Sequence, residues 1–281
     1  MHPVLFRLGS VFVPAYGALA AIGVLLALLL TQRTARSAGM DPNRVWNLCI
    51  VVLFTALIGS RVLLIVVNWS ILRRHPMWIL GLAMIHHPVL ATAGATLALL
   101  AGWVYARRNH IPLRTTADVL AAPLALGLAF EQIGALLAGS GYGTGTRLPW
   151  AVVYTSPLAA RWSGVPIGIP VHPVQAYVAL AFLGIALCGL LWLQHRRQHG
   201  DAAGLCLMTA GVALFITEFW RDPVGRGAML GGLLRGPQVA AIILVFTGAL
   251  LLVERKSQRV HRSPFLAPQP SQTGPKETLH G

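Results

Sequence analysis

The chain has 281 residues, of which 56% are hydrophobic and only 11% charged. Soluble domains carry about a quarter charged residues, so a water-soluble enzyme is excluded and a single helical membrane domain is expected. The net charge of +14 reads as membrane topology and attraction to anionic lipid. The arginines form no basic stripe interleaved with aromatics, which argues against nucleic acid as a partner.

Runs of about 20 apolar residues predict seven spans: Phe12–Thr31, Val45–Val67, Val89–Tyr105, Val119–Ala138, Pro173–Leu193, Gly204–Trp220 and Val239–Val253. The first is not a cleavable signal, because Arg33 and Arg36 follow the apolar run instead of preceding it. The short connectors after the first, third and fifth spans are dense in arginine: Arg33, Arg36 and Arg44, then Arg107, Arg108 and Arg114, then Arg196 and Arg197. Positive charge in short connectors marks the cytoplasmic side. The expected fold is therefore an all-α polytopic membrane protein with seven transmembrane helices over residues 1–256, its N-terminus outside and its C-terminus cytoplasmic. Residues 257–281 have no apolar periodicity and read as a disordered cytoplasmic tail. No internal repeat is present, which argues against a transporter built from repeated halves.

This orientation gathers polar residues at the outer ends of the spans. Tyr16 lies near the outer end of the first, Arg61 in the second, Thr92 near the start of the third, and Glu131 with Gln132 in the outer half of the fourth. His172 precedes the fifth span, Glu218 and Arg221 end the sixth at i,i+3 spacing, and Gln238 opens the seventh. Asp118 is the main polar group of the inner halves. A charge inside a spanning segment costs about 2.5–3.5 kcal/mol on insertion scales, so Glu131 marks either a site or a bundle contact. Bland readings stand beside each of these residues. Glu131 pairs with Arg61 as bundle glue, Glu218–Arg221 is an interface pair, His172 caps a loop, and Tyr16 belongs to an interfacial belt. The run Gly139–Gly145 is either a flexible loop or a set of backbone N–H groups that cradle a phosphate. His86-His87-Pro88 reads as a turn. Cys49, Cys188 and Cys206 fall in apolar runs and read as buried small hydrophobes. No metal-ligand spacing, nucleophile elbow or P-loop is present, so no cofactor is expected.

In register along the chain, these features resemble the bacterial prolipoprotein diacylglyceryl transferase family. The opening His2-Pro3-Val4-Leu5-Phe6 with Tyr16-Gly17, and Gly59-Ser60-Arg61, resemble the family's first two spans. Ala106-Arg107-Arg108 and Asp118 with Pro123 resemble the third and fourth. Ile133-Gly134, Leu137-Ala138-Gly139 and Tyr142-Gly143 resemble its signature loop. His172-Pro173-Val174-Gln175-Ala176-Tyr177 is similar to His-Pro-Ser-Gln-Leu-Tyr, and Glu218-Phe219-Trp220-Arg221 to Glu-Phe-Phe-Arg. The family's signature arginine aligns with Gln132, a second arginine with Leu214 and a histidine with Thr92. Its signature asparagines align with Ala135 and Ala138, and two glutamates with Ser140 and Val178.

The resemblance implies an inner-membrane enzyme that moves a diacylglyceryl group from phosphatidylglycerol, or another anionic phospholipid, to the lipobox cysteine of a prolipoprotein. That chemistry needs a base for the thiol and cations for the leaving phosphate. His172 and Glu131 are the candidate bases, and Tyr16 is grouped with them as catalytic. Arg61, Gln132, Gly139, Gly143, Gln175, Glu218 and Arg221 are the expected substrate-binding set, and His87 is a candidate stand-in for the missing histidine. The replacements leave a second expectation open, a family member that keeps the lipid pocket but has lost or changed the reaction.

Overall fold

The computed structural model describes residues 3–8, 11–69, 73, 88–195, 198–223, 228–229 and 233–253. His86 and His87, the Arg196–Arg197 pair and the tail beyond Val253 lie outside the described residues.

The chain opens as a hairpin, β1 (Val4–Leu8) antiparallel to β2 (Val11–Pro14). Pro14 then starts the first helix from extended backbone, φ −67° and ψ 135°. A proline restricts the residue before it to extended backbone. Phe12 and Val13 are therefore strand and not the first turns of a span, which corrects the expected start at Phe12. Helix α1 is Ala15–Ser37. Helix α2 (Pro42–Val67) begins earlier than its apolar run because Asp41 accepts the Asn43 N–H at 2.9 Å and Pro42 fits the first turn. Helices α3 (Pro88–Arg108) and α4 (Leu113–Ala138) follow. A small unit of β3 (Val152–Val153), α5 (Pro157–Ser163) and β4 (Pro170–Val171) precedes α6 (Val174–His195) and α7 (Asp201–Thr217). A 3-10 turn, Glu218–Trp220, extends α7. The strand pair β5 (Ala228–Met229) and β6 (Leu234–Arg235) leads into α8 (Gly236–Val253).

Among the described residues six helices are long and apolar enough to cross a membrane: α1, α2, α4, α6, α7 with its 3-10 extension, and α8. Their outward faces carry Leu29, Leu180, Leu187 and Phe246, each more than half exposed, as lipid-facing surfaces require. The fold is mostly helical, as the all-α expectation requires, and among the described residues three two-stranded sheets lie outside the helices. They arise because long connectors still have to pair their backbone N–H and C=O groups.

Helix pairs close on small residues, as membrane bundles do. Gly23 of α1 lies against Gly127 and Phe130 of α4, and Gly211 of α7 against Ala241 and Val245 of α8. The main core joins α4, α6 and α7 through Ala125, Ala129, Val174, Val178, Phe182 and Cys206. Cys188 is exposed on α6, unlike the buried position expected for it. At the end opposite Glu131, the buried Asp118 carboxylate accepts the Gly200 N–H at 2.8 Å and the Ala203 N–H at 2.9 Å. A side chain of α4 thereby caps the start of α7, where unsatisfied N–H groups favour an anion.

Candidate active site

The helix packing brings four of the expected site residues into one hydrogen-bonded chain. The Tyr16 hydroxyl at the start of α1 donates to Glu131 Oε1 at 2.8 Å. The neighbouring Gln132 Nε2 donates to Glu131 Oε2 at 2.6 Å. Arg221 Nη2 donates to Gln132 Oε1 at 3.5 Å, and Arg221 Nε stands 4.0 Å from Glu218 Oε2. Glu131 therefore is not paired with Arg61, which sits on the exposed side of α2; both carboxylate oxygens are held by Tyr16 and Gln132. The Glu218–Arg221 pair also differs from the expected helix face. Helix α7 ends at Thr217, and Arg221 is extended at φ −85° and ψ 144°, so the pair spans a 3-10 turn.

Four N–H groups in and just after the glycine-rich run go to protein carbonyls: Ser140 to Ala135 at 2.9 Å, Gly143 to His172 at 3.1 Å, Thr144 to Trp220 at 2.8 Å and Thr146 to Pro170 at 2.9 Å. Three segments thus meet at Gly143, which lies between the backbones of His172 and Trp220. A Cβ there would stand 2.6 Å from His172 and 2.8 Å from the Trp220 oxygen. Gly139 ends α4 in the left-handed region at φ 78°, and its own Cβ would meet Val165 at 2.9 Å and Tyr154 at 3.3 Å. Gln175 is buried and donates to the Ser140 carbonyl at 2.8 Å, tying α6 to the loop. The β3–α5–β4 unit is pinned to α4 by Tyr154, whose hydroxyl donates to the Leu136 carbonyl at 2.8 Å. Burial pushes the Tyr154 phenol up to about 12, against a smaller downward pull from Gln175. Burial and the Asp222 carboxylate also raise the Tyr142 phenol.

His172 sits over this clasp. Its ring lies 6.3 Å from that of Tyr177 and 6.4 Å from that of Trp220. Its Nδ1 is 3.4 Å from the Tyr177 hydroxyl, which accepts from Trp150 Nε1 at 2.8 Å. The site end of the bundle thus joins a carboxylate, an imidazole and a guanidinium at the tips of lipid-embedded helices. That set can accept a proton and bind a phosphate.

The model of the prolipoprotein diacylglyceryl transferase family matches residues 3–254. The chain belongs to this family. A Clostridium tetani protein named phosphatidylglycerol–prolipoprotein diacylglyceryl transferase is 29% identical over 232 residues, covering 82% of this chain and 90% of its own length. A protein of the same name from Synechococcus elongatus is 31% identical over 260 residues, 89% of this chain and 86% of its own. Another, from Vibrio cholerae, is 29% identical over 262 residues, 90% of this chain and 91% of its own.

Within this diacylglyceryl transferase family member, sequence reasoning missed two elements of the site. The first is Arg235, whose Nη1 donates to the Glu218 carbonyl at 2.9 Å and the Arg221 carbonyl at 3.0 Å. Its own N–H donates to Gln238 Oε1 at 3.0 Å. The signal was an arginine three residues before the polar residue that opens the last span. The second element is the Trp150–Tyr177–His172 contact, for which the Tyr of the His-Pro-Val-Gln-Ala-Tyr run was the available sign.

Proposed function

We propose that this chain transfers a diacylglyceryl group from phosphatidylglycerol to the lipobox cysteine thiol of a prolipoprotein in the bacterial plasma membrane. The observation that carries the reading is the Tyr16–Glu131–Gln132–Arg221 chain, which sets a proton acceptor one side chain from a phosphate-binding cation.

In this mechanism Glu131 takes the thiol proton, and the Tyr16 hydrogen bond aims the carboxylate. The sulfur attacks the glyceryl carbon that bears the phosphate ester. A C–S bond forms, the C–O bond breaks, and its electron pair leaves on glycerol phosphate. Arg221 binds that phosphate, and arginine suits its planar bidentate geometry. Gln132, uncharged where the family signature carries arginine, orients the Arg221 guanidinium through its Oε1. Arg235 and Glu218 hold the turn that presents Arg221. His172 donates a hydrogen bond to the leaving phosphate. Gly139, Gly143 and Gln175 shape the loop that carries these groups, and Arg61 supplies a further cation for the lipid headgroup.

The same reading takes α3 as a seventh span, with the N-terminus and the glycine-rich loop outside and the C-terminus cytoplasmic. A cysteine placed at Thr144 is then labelled by an impermeant reagent added to the outside of intact spheroplasts. Labelling from the cytoplasmic side alone overturns the topology. The function is tested by expressing the chain in cells depleted of their own diacylglyceryl transferase and following lipidation of a lipobox substrate. Restored lipidation is expected. Normal membrane expression with no lipidation overturns the transferase reading in favour of a lipid-binding family member that has lost the reaction.

A further inference from the structure

The donor and acceptor chemistry around His172 fixes more than its place. Trp150 lies in the loop between α4 and α5, 27 residues from Tyr177 on α6. An indole N–H can only donate, so at 2.8 Å the Tyr177 oxygen is its acceptor. The phenol's own proton then needs an acceptor. Among the described residues its other hydrogen-bonding neighbour is His172 Nδ1, at 3.4 Å. Were Nδ1 protonated, the phenol oxygen would accept twice and its proton would point at no described acceptor. The ring contacts hold the imidazole in place meanwhile: Trp220 lies 6.4 Å from His172, and Tyr177 meets Trp220 edge-on at 6.3 Å and 78°.

We propose that Trp150 and Tyr177 are positioning residues that lock the neutral His172 imidazole with Nδ1 as acceptor and Nε2 protonated. The relay runs Trp150 Nε1–H to Tyr177 Oη, then Tyr177 O–H to His172 Nδ1. It leaves Nε2–H, on the far side of the ring, as the donor offered to an anionic oxygen. A histidine's working nitrogen is set by what its other nitrogen bonds. Here that partner is a phenol whose own orientation is set by an indole on the outer loop. The inference rests on the proposed role of His172 in transfer, and it makes His172 a donor to the leaving phosphate, not the base for the thiol.

The test uses the full chain, labelled with 15N-histidine and reconstituted in phosphatidylglycerol vesicles at about pH 9, where imidazoles are neutral. The His172 signals are identified as those lost in His172→Asn. The parent is expected to show an unprotonated Nδ1 and a protonated Nε2. Tyr177→Phe is expected to show both tautomers and to slow transfer about tenfold, the loss of one hydrogen bond's worth of orientation. The KM for phosphatidylglycerol should change by no more than about twofold, since ground-state binding is untouched. Trp150→Phe keeps an aromatic ring but removes the donor, and is expected to move the tautomer balance in the same direction by less. A protonated Nδ1 in the parent, or a tautomer unchanged in both variants, overturns the relay. Full transfer activity in His172→Asn would remove His172 from the reaction while leaving the tautomer result standing, so the two failures are distinguishable.

Discussion

Gly143→Ala is the substitution on which the geometry of the site makes its sharpest demand. Gly143 does not occupy the left-handed region, so alanine meets no backbone strain there and the cost is contact alone. The new methyl would stand 2.6 Å from both the Cβ and the carbonyl oxygen of His172, and 2.8 Å from the Trp220 oxygen. Two of those three atoms are backbone and cannot rotate away. To reach ordinary contact the loop must retreat by about 0.8 Å. That movement stretches the Gly143–His172 bond from 3.1 Å and the Thr144–Trp220 bond from 2.8 Å to or beyond hydrogen-bond reach. Overpacking costs about 1–3 kcal/mol, and each lost hydrogen bond about 1 kcal/mol. A loss of about 3–5 kcal/mol is therefore expected. Gly143 also bridges to Arg221, so the guanidinium and the imidazole shift together, and a misplacement near 1 Å lowers a rate by about a hundredfold. Gly145→Ala is the matched control, because its nearest neighbour, the Pro170 oxygen, is 3.9 Å from the new atom. Denaturation of both variants in detergent micelles, followed by a lipidation assay in vesicles, reads both effects. A Gly143→Ala protein as stable and active as the parent, or a Gly145→Ala protein equally damaged, would refute the argument.

Two further outcomes follow from groups away from the reaction. Asp118→Asn leaves one oxygen to serve two N–H donors in a buried place, and should lower stability by about 1–3 kcal/mol in the same denaturation assay; the transfer rate per folded molecule should be unchanged, because the cap lies at the other end of α4 and α7. Tyr154 is protonated in the folded protein and its phenol is raised from 10.0 to about 12. Its stabilising contribution is fully present below about pH 10 and is lost as pH rises through about 12. Unfolding midpoints measured from pH 9 to 12 should therefore fall more steeply in the parent than in Tyr154→Phe, and parallel curves would contradict this.

The helices were legible because apolar length is a strong signal, and the site end was legible because polar residues inside such runs are rare. Boundaries and partners were not. Pro14 and Asp41 moved two helix starts through local backbone chemistry that hydropathy does not see. The Tyr16–Glu131 bond joins residues 115 apart, and it depends on α1 and α4 approaching through Gly23 and Gly127. The spacing of Glu218 and Arg221 fitted a helix face, but a 3-10 turn satisfies the same spacing. The glycine-rich loop had the composition of an anion nest. The Gly143, Thr144 and Thr146 N–H groups go to the His172, Trp220 and Pro170 carbonyls, a pairing between distant loops that leaves no periodicity in the sequence. Arg235 escaped notice for a related reason, since it works on two backbone carbonyls, a role that no charge pattern in the sequence advertises.

The central claim is that Glu131 accepts the thiol proton beside a phosphate-binding Arg221. It is tested most directly by reconstituting the purified chain and Glu131→Gln in phosphatidylglycerol vesicles with a lipobox peptide, measuring glycerol phosphate released and peptide thiol consumed. Glutamine keeps the length and one acceptor for Tyr16 but takes no proton. Equal release and thiol loss are expected in the parent, and a fall of about a hundredfold or more in both for Glu131→Gln with the protein still folded. Undiminished release by Glu131→Gln would contradict the claim.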